Sequence, residues 1–351
     1  MRLEQLLINQ DITLISALEK LDAAGKRCLF VIDEEGKLKG SLTDGDVRRY
    51  IVAKATSKGK VRDAMKLDPI YVTSGEAGSA RGLMQKHGVS AIPVVDDQHI
   101  VTEVILEGGN NYKRAVRVLE TPLPVVMMAG GVGSRLMPIT SVIPKPLVPV
   151  NGKPIAEHII DRFCEAGCRD FYFVLNYKKG MIKAYFEDLE RDYNVMYLEE
   201  KQYLGTGGGL KLAEGCINTP FFLTNCDVLI DADLYDLVAV HNKSNNVVTV
   251  VCSLKNYAIP YGTIEISEGG QIVGMREKPS IPSLVNTGCY LVNPEVFDFI
   301  GIDESIGFPD VVLRCQKAGL NVGVYPISEG SWLDMGQPDE LERMSRMLDN
   351  N

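Results

Sequence analysis

Two short segments concentrate residues that could handle a phosphate chain. The first reads Val125-Val-Met-Met-Ala129-Gly130-Gly131-Val-Gly133-Ser134-Arg135-Leu136, with Pro144-Lys145-Pro146 shortly after it. An apolar strand that runs straight into three glycines leaves backbone amides open to an anion. Arg135 adds a planar cation able to clasp phosphate oxygens, and Lys145 adds a point charge. Spacing rules out two common phosphate loops. A Walker loop needs a Lys directly after its last glycine, and none stands there. A dinucleotide turn needs a third glycine where Leu136 sits, and it gives Arg135 and Pro-Lys-Pro no role. The second segment, Phe221-Phe-Leu-Thr-Asn225-Cys226-Asp227, ends an apolar run on a carboxylate.

The elements around these residues alternate. Apolar runs at Val125–Ala129, Asp170–Leu175, Val195–Leu198, Phe221–Thr224 and Val247–Cys252 have strand length, and helical periodicity marks Pro154–Ala166, Lys179–Arg191 and Leu234–Asn242. Strands alternating with helices predict an α/β fold: a mainly parallel, doubly wound sheet with helices on both faces. Such sheets bind ligands beyond the carboxyl ends of their strands, where both the glycine turn and Asp227 fall.

Composition narrows the partners. The chain has 351 residues, 46 Asp and Glu against 37 Lys and Arg, and a net charge of −9. That excess of carboxylates argues against a nucleic-acid surface, which needs clustered cations. No apolar run reaches the roughly 18 to 20 residues of a membrane span, and the start lacks a secretory pattern, so a cytoplasmic protein is expected. Eight cysteines without a C-x-x-C pair read as buried thiols, with Cys164 and Cys168 close enough on one helix to touch. No His neighbours them, which argues against zinc.

The pattern breaks at Glu107-Gly-Gly-Asn-Asn111 and again at Thr121-Pro-Leu-Pro124, where two prolines remove amide donors. The expected division is therefore 1–115, a linker at 116–123, and 124–351. The first part contains two similar halves. One has a helix at Leu14–Ala24, strands at Cys28–Asp33 and Leu38–Leu42 around a turn at Glu35-Gly36, and a helix starting near Asp44. The other has a helix at Ser79–His87 and strands at Ala91–Asp96 and Ile100–Val104. Each half is too short to bury its own apolar face, so the two are expected to pack together.

This arrangement, with Gly40-Ser-Leu-Thr43-Asp-Gly-Asp46, resembles a tandem pair of CBS repeats of α+β type. The resemblance implies a regulatory module in which Thr43 and Asp46 meet an adenine nucleotide, through a phosphate and a ribose. Thr43 is equally a good helix cap, and a helix N-terminus attracts phosphate. The second half has no Thr-x-x-Asp after Val101-Thr-Glu-Val. CBS pairs commonly associate, so a homo-oligomer is expected.

Residues 124–351 resemble the sugar-phosphate nucleotidyltransferases, whose signature is G-G-x-G-[ST]-R-L-x-P-x-T with a downstream P-K-P. Further family motifs follow in order: Leu204-Gly205-Thr206-Gly-Gly208, Asn225-Cys-Asp227, Tyr261-Gly262, Glu277-Lys278-Pro279, Asn286-Thr-Gly288 and Trp332-Leu-Asp334-Met-Gly336. The resemblance implies a Rossmann-like fold and a reaction that joins an NTP to a sugar 1-phosphate and releases pyrophosphate. It implies that Ala129, Gly130, Gly131, Gly133, Ser134, Leu204, Gly205, Thr206 and Gly208 bind the nucleotide, and that Gly262, Glu277 and Asn286 line the sugar. Arg135, Lys145, Asp227, Lys278 and Asp334 become the catalytic set, with Asp227 and Asp334 holding Mg²⁺. Two positions depart from the family pattern, Cys226 where Gly is frequent and Gln337 where Thr is frequent.

The Leu204–Gly208 loop looks most like that of guanylyltransferases acting on mannose or heptose 1-phosphate, which implies GTP. Uridylyltransferases carry a similar glycine run, and thymidylyltransferases are a further alternative. The combination of domains also resembles CBS-fused guanylyltransferases that make GDP-glucosamine for legionaminic acid. A rival of another class is a nucleotide-sensing subunit that binds without catalysing. Retention of both carboxylates and three cations counts against it.

Overall fold

The computed structural model describes residues 3–24, 28–106, 117–336, 340 and 344–345. The break expected at Glu107–Asn111, the 115/116 boundary and Gln337 lie outside the described residues. The chain forms two compact units. One comprises Met1–Ala115, Leu254–Leu284 and Pro326–Glu329; the other comprises Val116–Ser253, Val285–Tyr325 and Gly330–Asn351.

The first unit repeats one small motif. Its first copy runs β1 (Leu7–Asn9), α1 (Leu14–Ala24), β2 (Cys28–Ile32), β3 (Leu38–Thr43) and α2 (Asp44–Lys54). β1 is parallel to β2, which is antiparallel to β3. The second copy runs β4 (Val72–Thr73), α3 (Ala80–His87), β5 (Ala91–Val95) and β6 (Val101–Leu106), with the same parallel and antiparallel pairings. Each copy buries its own cluster, around Leu14, Leu29, Leu42 and Val47 in one and Met84, Ile92 and Val94 in the other. A third cluster draws Phe30 and Leu38 from the first copy and Val95 and Val101 from the second. The turns also exchange hydrogen bonds, Leu38 N–H to His99 O at 3.0 Å and Val101 N–H to Gly36 O at 3.2 Å. The halves pack together as their size requires.

The second unit is built on a seven-stranded mixed sheet. Its elements are β7 (Val125–Met128), α4 (Ile155–Glu165), β8 (Asp170–Leu175), α5 (Lys179–Asp188), β9 (Asn194–Glu199), β10 (Phe221–Asn225), β11 (Val228–Ile230), α6 (Leu234–Lys243) and β12 (Val248–Ala258). Then follow β13 (Thr263–Ile266), β14 (Ile272–Arg276), β15 (Ser280–Val292), α7 (Phe308–Lys317), β16 (Val322–Ile327) and β17 (Trp332–Asp334). The sheet order is β9-β8-β7-β10-β15-β12-β16. β7, β8, β9 and β10 are mutually parallel where they pair, and β15 runs antiparallel to β10. β13 and β14 form a separate two-stranded ribbon within the first unit.

Every residue of β7 is buried, as a central strand covered on both faces requires. Val126 and Met128 pack with Phe221, Leu223, Phe308 and Val311 on one side. On the other, the apolar stripe of α4 places Phe163 against Phe222 at 5.2 Å. α5 ends at Asp188, three residues before the expected Arg191. The chain leaves the helix at Leu189 in extended conformation, and Tyr193 then meets Phe171 edge-on at 5.4 Å. β12 runs beyond the expected Cys252 to Ala258, with Leu254 joining the first unit's core.

α6 carries a buried histidine. His241 accepts from the Thr249 hydroxyl at 2.8 Å and donates to Asn293 Oδ1 at 3.0 Å. Burial holds its imidazole below the ordinary value, against the opposing effect of the Asn293 bond. The unfolded imidazole titrates near pH 6.5, so the unfolded chain takes up more protons below that pH. The stability this neutral histidine carries is present above about pH 6.5 and is lost as pH falls through the depressed folded value. Thermal denaturation between about pH 8 and pH 5 should show the decline, and His241→Phe should flatten it below about pH 6.5.

Candidate functional site

The order of the sheet locates the site. From β7 the chain winds through α4 to β8 and through α5 to β9 on one side, while β10 lies on the other side of β7. The strand order reverses between β7 and β10, and at such a switch point the loops diverge and leave a crevice. The glycine turn follows β7 and Asp227 follows β10, so both reach the same opening. A cavity of about 420 Å³ lies there, lined by the turn from Gly130 to Leu136, by Lys145, Asn176, Tyr177 and Glu200, and by the loops at 203–206 and 225–227.

Two glycines of the turn are required for different reasons. Gly133 has φ +67°, and a Cβ there would sit 2.8 Å from Thr140 Cγ2. Gly130 is open on the cavity side, but a Cβ would stand 2.6 Å from the Glu200 carboxylate behind it. The Thr140 hydroxyl donates to Gly133 O at 2.8 Å and closes the turn from Gly130 to Thr140 into a compact loop.

A short antiparallel ribbon completes the charged end. β11 pairs with β17, placing Asp334 opposite Val228 and Leu333 opposite Leu229. Met335 N–H donates to Asp227 O at 2.9 Å. Asp334 thereby comes beside Asp227 from the far end of the chain. Its carboxyl is held above the usual range, first by burial and then by the Asp227 charge, with Lys145 and Arg135 opposing. Asp334 also accepts from Gly336 N–H at 2.7 Å, and Gly336 leaves no room for a Cβ between Arg135 and Asp334. Lys145 donates to Asp227 Oδ2, an ion pair whose side chains are only 12% and 9% exposed.

This charge pattern suits a divalent cation. Among the described residues no cluster of three or more His, Cys, Asp or Glu forms a metal cage. Mg²⁺ takes one or two carboxylates and fills its octahedron with water and phosphate oxygens. The buried Asp227 and the half-buried Asp334 beside it fit that requirement. Cys226, next to Asp227, is buried in the cavity lining, and burial pushes its thiol up to about 12, so it stays neutral. All eight cysteines are free thiols, and five of them are buried.

The remaining expected residues fall as follows. Gly130, Gly131, Gly133, Ser134, Arg135, Lys145, Gly205, Thr206 and Asp227 line the cavity. Ala129 and Leu204 are buried behind it, Ala129 N–H bonding Val174 O at 2.9 Å and Leu204 N–H bonding Glu200 Oε1 at 3.1 Å. Gly208 packs on the Glu304 carbonyl, and the Thr206 hydroxyl accepts from Phe308 N–H at 3.0 Å, so both fasten the loop to the start of α7. Asn286 lies in the same unit and donates to Tyr290 OH at 2.7 Å. Gly262, Glu277 and Lys278 belong to the first unit, together at the open end of the β13–β14 ribbon where Thr263 pairs with Arg276, and are exposed. Thr43 and Asp46 form a capping box at the start of α2. Asp46 N–H donates to the Thr43 hydroxyl at 3.2 Å, Thr43 N–H donates to Asp46 Oδ2 at 2.8 Å, and Arg49 pairs with Asp46.

Glu200, Asn176 and Tyr177 are the residues that sequence reading missed. Glu200 is 4% exposed, and burial raises its carboxyl against bonds from Leu204 and Asn176. It links the phosphate turn, the end of β8 and the 203–208 loop. Its position directly after β9, and that of Asn176 and Tyr177 directly after β8, was the available signal, because strand ends carry function in this architecture.

Two family models match the chain. The family model described as nucleotidyl transferase matches residues 124–351, and that described as CBS domain matches residues 1–53. Mannose-1-phosphate guanyltransferase of Yarrowia lipolytica is 33% identical over 228 residues, covering 62% of this chain and 61% of that protein. The Saccharomyces cerevisiae enzyme of the same name is 32% identical over 229 residues, 62% of each. The chain therefore spans about 62% of the length of the curated relatives it matches. Among solved structures, HddC from Yersinia pseudotuberculosis aligns at TM-score 0.51 and 22% identity over 64% of this chain and 99% of that one. A UDP-glucose pyrophosphorylase complexed with UDP-glucose aligns at 0.51 and 24% over 66% and 99%.

Two glycine substitutions should separate folding from binding. Gly131 faces open space, so Gly131→Ala should leave the melting temperature unchanged while its methyl enters the cavity and weakens nucleotide binding. Gly208→Ala collides with the Glu304 backbone and should lower stability by about 1–3 kcal/mol, read by thermal denaturation without ligand.

Proposed function

The chain belongs to the nucleotidyl transferase family, and on that premise we propose that it transfers a nucleoside monophosphate from an NTP to a sugar 1-phosphate, releasing pyrophosphate. One observation carries this reading: Arg135, Lys145 and Asp227 line a glycine-walled cavity at the sheet's switch point, and the β11–β17 pairing holds Asp334 beside Asp227. The nucleophile is already an anion, so the reaction needs neither a strong base nor a covalent intermediate. An oxygen of the sugar phosphate attacks the α-phosphorus, the bond to the β-phosphate breaks, and the electron pair leaves with pyrophosphate. What the protein must supply is alignment of anions and neutralisation of their charge.

The residues divide that work. Backbone amides of the turn at Gly130, Gly131 and Gly133 cradle the triphosphate. Arg135 neutralises the β- and γ-phosphates as they depart. Lys145 holds its ammonium beside Asp227, where the α-phosphate and the incoming sugar phosphate converge. Asp227 and Asp334 would hold Mg²⁺, which when bound offsets the negative charge shared by the two reacting phosphates. Asn286, in the same unit as the cavity, is the proposed sugar contact.

GTP is the proposed nucleotide, supported by the 32–33% identity to mannose-1-phosphate guanyltransferases. A hexose, heptose or amino-sugar 1-phosphate, mannose 1-phosphate and glucosamine 1-phosphate among them, is the proposed acceptor. The first unit is proposed as a regulatory module that takes an adenine nucleotide at Thr43 and Asp46.

A pyrophosphate-release assay with Mg²⁺, run over GTP, UTP, dTTP, CTP and ATP against these sugar 1-phosphates, should give turnover with GTP. Asp227→Asn should reduce it by at least about a hundredfold while the melting temperature holds. Absence of release with every pair would sink the enzymatic reading. Preference for UTP or dTTP would move the base.

A further inference from the structure

We propose that Lys178 is a positioning residue for the triphosphate pocket, holding the far end of the glycine loop so that Lys145 is delivered to Asp227. The inference rests on the nucleotidyl-transfer reading above.

The loop between Gly130 and Lys145 carries both phosphate-facing cations, yet apolar packing does not hold its outer arm. Met137, Ile139 and Val142 are 51%, 42% and 68% exposed. Polar bonds hold it instead. The Thr140 hydroxyl ties the arm to Gly133. Two residues at the end of β8 then grip it from outside. Tyr177 OH donates to Thr140 O at 3.2 Å, and Lys178 Nζ donates to Ser141 O and, at 2.8 Å, to Val142 O.

Ser141 and Val142 end the short helical turn Ile139–Val142, whose last carbonyls have no partner within the turn. A lysine ammonium satisfies two of them and suits the negative end of the turn. Lys178 adopts left-handed backbone to do so, with φ 49° and ψ 33°. A side chain tolerates that conformation only where its surroundings hold it there.

The grip reaches Lys145 through a stiff connection. Val142 is followed by Ile143-Pro144-Lys145-Pro146, and the two proline rings fix backbone torsions on either side of the lysine. A shift of the Val142 carbonyl therefore moves the Lys145 ammonium relative to Asp227. Lys178 itself is absent from the cavity lining, and its ammonium is spent on the two carbonyls. Asn176, next but one before it, bonds Glu200 behind the 203–208 loop. The tripeptide Asn176-Tyr177-Lys178 thus fastens both walls of the pocket to one strand end.

The test is a double-mutant cycle read by calorimetry. Mg²⁺-GTP and Mg²⁺-UTP are titrated into the full chain, and the tighter of the two is used throughout. Lys178→Ala should weaken binding about tenfold, and Lys178→Arg should restore it to within about twofold. In a Lys145→Ala background, Lys178→Ala should change affinity by less than about twofold, because its effect passes through Lys145. Melting temperatures without nucleotide should match across the Lys178 series. Unchanged affinity in Lys178→Ala, the same loss with and without Lys145, or a melting temperature that falls with the affinity would each overturn the proposal. If nucleotide binds as expected but no sugar 1-phosphate yields pyrophosphate, the proposed activity fails while the positioning role stands.

Discussion

The charged end of the pocket depends on one backbone feature, the antiparallel pairing of β11 with β17. Three residue pairs set the register, and that register places Asp334 beside Asp227. A slip of one residue would turn Asp334 to the opposite face and bring Leu333 to the carboxylate side. Its own burial and then the neighbouring Asp227 charge hold the Asp334 carboxyl above its ordinary value. The arrangement is tolerable because Lys145 and Arg135 reach the same point, and it is useful because a divalent cation would relieve it. Each remaining part of the site supports this cluster. The central strand β7 delivers the glycine turn, the turn delivers Arg135, and the loop closed by Thr140 delivers Lys145.

The sheet and the turn were legible in the sequence because they rest on local signals. β8 is found with the same bounds as the apolar run that suggested it, and β7, β9 and β10 fall within a residue of theirs, since a strand covered on both faces must be apolar throughout. The three glycines and the Pro-Lys-Pro segment were visible because so few residue types can serve where backbone meets phosphate. Glu200 was not visible. A glutamate after a strand reads as a surface charge until the fold places it between Gly130, Asn176 and Leu204. Lys178 escaped for the same reason, since its partners are carbonyls that any sequence supplies. The end of α5 escaped because the contact of Tyr193 with Phe171 overrides helical periodicity that extends to Arg191.

The first unit shows the same contrast. Its repeat was legible because turn residues and apolar runs recur, and the reciprocal bonds between the turns at Gly36 and His99 follow from that symmetry. The role of Thr43 and Asp46 is less readable, since their side chains satisfy the first turn of α2 and one another. A cap of this kind also leaves a helix N-terminus available to phosphate, so a structural cap and a ligand contact are compatible at the same two residues.

The claim that Asp227 and Asp334 act together as a cation site is tested most directly by Mn²⁺ binding, followed by electron paramagnetic resonance in the presence of GTP. The account expects tight binding in the wild-type chain, loss of it in Asp227→Asn, and weakening of at least about tenfold in Asp334→Asn, with turnover falling in parallel. Equal Mn²⁺ affinity in all three proteins would contradict it.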